Sequence, residues 1–194
     1  MWTFFTILFY TGLALFLGLG SAWQMVDQGS ALTTGRIGPW SVWYSAGSPK
    51  ADPYTRAHFA RSGRLPITST SALYYVAQID GEGDELTSEC AYAIEGKPLD
   101  AVWWSLAAYE ASGRLIPNKA DRHSFSSRDI ALRSDGTFQI VVSRDARPGN
   151  WLPAGESDQL QLVMRVYAPR ATNSTVGGRE IDKALPEIRR VSCR

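Results

Sequence analysis

The chain has 194 residues, 20% of them charged and 44% apolar, which is enough to bury a core of ordinary size. Its 20 basic and 19 acidic side chains leave a formal net charge of +1. That balance excludes the basic footprint of a nucleic-acid binder, and no Lys/Arg-rich run forms a polybasic membrane patch. Seven Trp and eight Tyr are many for this length and suit strands and ligand grooves.

Residues 2–22, WTFFTILFYTGLALFLGLGSA, carry no charge. About 20 apolar residues span the hydrocarbon of a bilayer as a helix. The length of the run and the absence of a basic start favour a retained anchor over a secretory signal, while the GLGSA end leaves cleavage open. Charge bias is too weak to orient the segment. Ala14, Gly18 and Ala22 fall four apart, a stripe that reads as ordinary membrane-helix composition rather than a pairing motif. Residues 1–24 are therefore assigned to the anchor, the polar and small residues 25–38 to a linker, and 39–194 to one folded domain.

In chain order, PWSVWYS reads as a first strand. ADPYTRAHFARSGRLP reads as a helix, with Asp52 as N-cap, Pro53 at the first turn, Gly63 at the left-handed end and Pro66 as a stop. Tyr54, Ala57 and His58 share a face by spacing, with Phe59 off it. Strands follow in SALYYVAQID, CAYAIEG and AVWWSLAAYE. DIALR and TFQIVVS flank the turn SDG. In DQLQLVMRVYAP, Leu160, Leu162, Met164 and Val166 alternate with Gln159, Gln161, Arg165 and Tyr167, the pattern of a half-buried strand. EIRRVSC is a final strand. Eight or so short strands between Gly/Pro/Asp turns predict a mainly β domain, an antiparallel sandwich or barrel with one short helix.

RPGNWLP, residues 147–153, reads as a corner. Pro148 and Gly149 turn the chain, and Asn150 bonds backbone across the turn. Trp151 is expected to be largely buried at the edge of the sandwich, and Pro153 to stop strand pairing at once. Cys90 and Cys193 are the only cysteines. In an exported domain they most simply pair, stapling the carboxyl end to the body; two free thiols would point to the cytoplasm instead.

Chemistry-bearing motifs are sparse. His58 and His123 are the only histidines, and no HExxH, GxSxG or phosphate-binding Gly-rich loop is present, so neither a metal nor a cofactor is expected. Asp80, Glu82, Asp84 and Glu85 lack the spacing of a calcium loop and read as an exposed turn. NKADRHSFSS is polar-dense: Asn118, Arg122, His123 and Ser124 either converge on a ligand or, the favoured reading, bond backbone groups of their own loop. Asp121, His123 and Ser124 are too close in sequence to supply triad geometry. Arg165, on the polar face of its strand, is expected to pack its stem and meet a carboxylate. The candidate ligand-binding set is Asn118, Arg122, His123, Asn150, Trp151 and Arg165.

Residues 103–170 resemble the bacterial domain-of-unknown-function family 1214. The resemblance rests on Trp104, Ser105 and Tyr109; Gly113, Leu115 and Asn118; Arg122 and Ser124; Asp135 and Gly136; Asn150 to Pro153; and Arg165, Tyr167 and Pro169. The chain departs from the family pattern at His123, where Tyr is usual, and at Met164, where Leu is usual. DPYTRAHFARSGRLP and CAYAIEG resemble the short, membrane-anchored alphaproteobacterial members. The resemblance implies a jelly-roll-like β-sandwich and an exported location; it implies no reaction and carries no catalytic residue over.

Together these readings predict a single-pass inner-membrane protein, held in the lipid bilayer through residues 2–22. Its periplasmic domain would serve as a binding or interaction module, with an envelope glycan or a membrane protein as partner and no nucleic acid. The alternative is a periplasmic enzyme acting on an envelope glycan or related small molecule, with Asn118, Arg122, His123 and Trp151 near its site. Polar groups converging in a concave pocket would favour the enzyme, and the same groups bonded to backbone would favour the module.

Overall fold

The computed structural model describes residues 2–169 and 180–194. Arg170, the last residue of the stretch read as family-like, lies outside them. Helix α1 (Trp2–Asp27) runs five residues past the stretch 2–22, is long and apolar enough to cross a membrane, and buries none of its side chains in the protein. It is followed by β1 (Gly35–Ile37), β2 (Trp40–Val42), α2 (Pro53–Ser62), β3 (Ala72–Ala77), β4 (Cys90–Gly96) and β5 (Ala101–Glu110). Then come β6 (Ser124–Ser126), β7 (Phe138–Ser143), β8 (Asn150–Pro153), β9 (Leu160–Pro169), the short α3 (Glu180–Lys183) and β10 (Glu187–Cys193).

The fold is mainly β, in two sheets. One has six strands in the order β1-β2-β3-β9-β5-β6; the other has four, β10-β4-β7-β8. Strand β9 sits between β3 and β5, and its alternation decides what is buried. Leu162, Met164 and Val166 face one shared core with Leu73 and Tyr75 of β3 and Trp104 and Leu106 of β5. Ile94, Phe138, Ile140, Val142 and Leu152 of the second sheet fill the same cluster, where the Trp104 and Phe138 rings stack with centroids 5.0 Å apart.

Helix α2 forms as its caps dictate. The Asp52 carboxylate accepts from the Thr55 N–H at 2.9 Å, Pro53 opens the first turn, and Gly63 ends the helix at φ +64°. The buried residues are Thr55 and Phe59, one turn apart, whereas Ala57 is exposed. The face shared by Tyr54, Ala57 and His58 is only partly covered, with His58 stacked on Trp43, and Phe59 off that face is the more deeply buried. With a helix this short, the covering sheet selects the face, and Phe59 brings more apolar area than Ala57.

Several local expectations are corrected. The stretch read as a linker contributes β1, paired with β2. DIALR is not a strand; only Leu132 bridges Phe138 there, although SDG does turn the chain. RPGNWLP is part corner and part strand. Asn150–Pro153 lies parallel to β7, so the second sheet is mixed rather than wholly antiparallel. Residues 144–149 bring the chain back so that Asn150 stands level with Ile140 and Pro153 with Ser143. A return of three residue steps is only about 10 Å, short enough for a six-residue connection. Pro153 ends β8 as a paired residue, tolerated because β8 is an edge strand.

Asn150 does bond backbone, as expected. Its Oδ1 accepts from Ala131 N–H, and its Nδ2 donates to Ala131 C=O and Gln139 C=O, each at 2.9 Å. Trp151 is half-buried rather than largely buried, because it lies on an edge strand, and its Nε1–H donates to Ser143 C=O at 3.1 Å. Cys90 and Cys193 face each other across β4 and β10 and form a disulfide. The carboxyl-terminal segment is also tied to the start of the domain. Trp40 Nε1–H donates to Pro186 C=O at 2.8 Å, and the buried Asp182 accepts from the Tyr44 and Tyr75 hydroxyls at 2.7 Å each.

Candidate functional site

The period of two that sends Met164 to the core sends its neighbours to the opposite face of the six-stranded sheet. There Arg165 lies opposite Tyr74 on one side and Ser105 on the other, and Val163 lies opposite Val76 and Ala107. This outer face is not left to solvent. Gln161 and Val163 are buried, under α2 and the residues flanking it. Between that roof and the sheet lies a cleft of about 220 Å³. Trp43, Phe59 and Leu65 form its apolar wall, Val76 and Val163 its floor, and Tyr74, Tyr109, Arg64 and Arg165 its polar groups.

Both guanidiniums are held in place by neutral partners. Arg165 donates to the Tyr109 hydroxyl, and its charge lies 5.4 Å from the Tyr109 ring centroid and 5.9 Å from that of Tyr74. Arg64 donates to Gln161 Oε1 at 3.1 Å, while Gln161 Nε2 donates to Glu110 C=O at 2.9 Å. Among the described residues no carboxylate lies within ion-pair distance of either arginine. The carboxylate expected for Arg165 is missing because the neighbours that register places beside it are Tyr74 and Ser105.

Burial and the nearby charge of Arg165 pull the Arg64 guanidinium below its usual value. Burial, reinforced by hydrogen bonding to Tyr167, pushes the Tyr74 hydroxyl up to about 12, so it stays protonated at neutral pH. Tyr74 continues into an aromatic row across the sheet, with Tyr167 at 6.5 Å and Trp103 a further 5.2 Å from Tyr167. Two guanidiniums beside aromatic walls, with no counter-ion among the described residues, suit a ligand with an anionic group and an apolar body. None of the described lining residues is a carboxylate, imidazole, thiol or aliphatic alcohol; the ionisable groups among them are the Arg64 and Arg165 guanidiniums and the Tyr74 and Tyr109 phenols.

The other predicted site residues lie elsewhere. Asn118 and Trp151 line a separate, open groove together with Glu110, Arg144 and Glu156. Their polar atoms are engaged locally. Asn118 Oδ1 accepts from Arg122 N–H at 3.0 Å, and Asn118 Nδ2 lies 3.0 Å from Arg122 C=O and 3.2 Å from Ile116 C=O. Arg122 donates to Trp151 C=O at 3.2 Å. His123 Nδ1 faces the Asn118 amide at 3.3 Å, and its Nε2 lies 3.4 Å from Asp121 Oδ1. Asn150 serves the backbone of Ala131 and Gln139, as described above. Of the six candidates, only Arg165 reaches the cleft. Trp43, Phe59, Arg64, Tyr74 and Tyr109 escaped sequence reasoning; the one available signal was buried-type Val163 interrupting the polar face of β9.

The acidic turn is not a simple exposed one. Asp80 is only 2% exposed, and its Oδ1 accepts from the Glu82 and Asp84 N–H groups. Asp80, Glu82 and Asp84 gather around Arg190 of β10, at 3.5, 2.8 and 2.5 Å. The guanidinium occupies the place a cation would take.

The sequence model of the family described as "Protein of unknown function (DUF1214)" matches residues 71–171. The chain belongs to this family. No curated protein matches it. Among solved structures, this DUF1214 chain is similar to the VPA0106 protein from Vibrio parahaemolyticus. The TM-score is 0.57 at 22% identity, over 74% of this chain and 36% of that one. It also matches an uncharacterised protein from Burkholderia cenocepacia, at TM-score 0.45 and 20% identity, over 64% of this chain and 30% of that one. The chain thus spans about a third of the length of either, and the first likeness bears on the fold alone. The family match contains Tyr74, Tyr109 and Arg165, the floor of the cleft; Trp43, Phe59 and Arg64, which roof it, precede residue 71.

Proposed function

We propose that this DUF1214 protein is a single-pass, membrane-anchored binding module. Its β domain, read as a jelly-roll-like sandwich, lies on the exported side of the inner membrane and takes a small amphipathic anion in the cleft under α2. The observation that carries this reading is the pair of guanidiniums, Arg64 and Arg165, held in an aromatic cleft by partners that, among the described residues, are all neutral. A guanidinium drawn partly out of water without a counter-ion leaves strong donors for an incoming carboxylate or phosphate. Location is supported by the apolar α1 and by a disulfide, which persists in oxidising compartments.

Phenyl phosphate, titrated calorimetrically into the full chain in zwitterionic nanodiscs, tests the site. It should bind better than phenol or inorganic phosphate, and Arg64→Gln with Arg165→Gln should weaken it at least tenfold, about 1.4 kcal/mol or more. Equal binding to the double variant refutes the cleft. A carboxyl-terminal reporter that fluoresces only in the cytoplasm should stay dark, and a bright fusion refutes the location.

The second reading, an enzyme acting on an envelope glycan, would use the open groove, where Trp151 and Asn118 stand with the carboxylates Glu110 and Glu156. The backbone bonds of Asn118, Arg122 and Trp151 favour the module.

A further inference from the structure

Helix α2 roofs the cleft and at the same time docks the end of α1. On one side, Phe59 lines the cleft. On the other, His58 Nδ1 bonds Val26 C=O at 2.8 Å, Arg61 pairs with Asp27 at 3.2 Å, and the Arg61 guanidinium covers the Trp23 ring at 4.1 Å. Trp43 joins the two sides. It lines the cleft, stacks on His58 with centroids 4.3 Å apart, and meets the Phe59 ring edge-on at 6.4 Å. Only the thickness of one helix, about 10 Å, therefore separates the cleft from the last turn of the membrane-type helix.

That last turn has the marks of a bilayer boundary. The apolar run ends at the charged Asp27, and Trp23 one turn earlier is 61% exposed, the residue type enriched at headgroup level. The headgroup layer is itself about 5–8 Å thick on each side. A cleft one helix away lies within reach of a lipid headgroup without the lipid leaving the bilayer. Its rim is apolar as well: Leu65, which lines the cleft, is 74% exposed, far more than burial in the domain would leave it.

Resting on the anion-cleft reading above, we infer that the ligand is the phosphate-bearing headgroup of an anionic bilayer lipid. Arg64 and Arg165 hold the phosphate, and the first methylenes of the lipid run along Trp43, Phe59 and Leu65. Two guanidiniums with no carboxylate beside them among the described residues offer donors to both free oxygens of a singly charged phosphate diester, and the apolar rim continues the hydrocarbon that a free phosphate ester lacks.

The test uses the full chain in nanodiscs of phosphatidylcholine alone or with one-fifth phosphatidylglycerol. Phosphatidylglycerol in the bilayer should weaken phenyl phosphate binding at least tenfold by competition. Native mass spectrometry of the released protein should retain one phosphatidylglycerol per chain, lost in Arg64→Gln and in Arg165→Gln but kept in Arg165→Lys. Far-ultraviolet circular dichroism checks that each variant is folded. If phenyl phosphate binds equally in both bilayers and Arg165→Gln retains the same lipid, the lipid inference falls while the anion cleft stands. Soluble glycerol 3-phosphate binding more tightly than phosphatidylglycerol competes would assign the site to a free phosphate ester and overturn the lipid. No phenyl phosphate binding, with lipid retention indifferent to both arginines, overturns both readings.

Discussion

Replacing Cys90 and Cys193 together with alanine removes a bridge across a sequence separation of 103 residues. In the folded protein little else should change. Strand β10 stays paired to β4, Ile188 stays in the core, Trp40 still donates to Pro186, and Arg190 still holds its three carboxylates. The loss therefore falls on the unfolded state, which gains the freedom of a loop of about a hundred residues. The chain-entropy relation sets this near 4.7 kcal/mol. For a domain of this size each kcal/mol moves the melting temperature by about 2–4 °C, so a drop of about 9–19 °C is expected. Differential scanning calorimetry of the full chain in detergent, oxidised wild type against double variant, measures it. A drop of only two or three degrees would show that the unfolded chain is not constrained by the bridge. Separate early unfolding of β10 would show that the bridge holds the folded strand instead. The same pair bears on location: native protein should contain no alkylatable thiol, and two would refute the exported side.

Asn150→Ala deletes three hydrogen bonds to Ala131 and Gln139 and should cost about 1.5–4.5 kcal/mol in denaturant unfolding, at about 0.5–1.5 kcal/mol per bond. An unchanged midpoint would refute the role of its amide as a surrogate strand. His58 is held below its ordinary value of 6.5, chiefly by burial, with Arg64 and Arg61 adding to the effect and Val26 C=O and Asp27 opposing it. Because the fold favours the neutral ring, this contribution to stability is complete above about 6.5 and declines as pH falls through the lower folded value. A His58 proton resonance titrating at or above 6.5 would contradict this. Spectrophotometric titration should find one tyrosine ionising near 12 that Tyr74→Phe removes; its survival in that variant would refute the assignment.

Much of the molecule was legible in the sequence because the signals are local. The charge-free run makes α1 by composition. The caps of α2 act within four residues of each end, so Asp52, Pro53 and Gly63 place it correctly. The core face of β9 follows from alternation, and the pairing of Cys90 with Cys193 from their number and the exported reading. The motif order from Trp104 to Pro169 pointed to the family that the sequence match bears out.

The rest depended on which strands became neighbours. Strand β8 lies parallel to β7 because a short connection can return three residue steps, and nothing in RPGNWLP distinguishes that from a hairpin corner. The acidic turn became an ion-pair nest because register brought Arg190 of the last strand against it. The cleft is the clearest case. Arg165 announced itself only as a polar position on a half-buried strand. It became part of a cleft because β3 and β5 flank β9 with Tyr74 and Tyr109, and because α2 folds over that face carrying Phe59 with Arg64 just beyond its end. Period and capping are set by nearest neighbours along the chain, whereas a site is assembled from groups far apart in sequence, and only the packing of the sheets under their helix decides which of them meet.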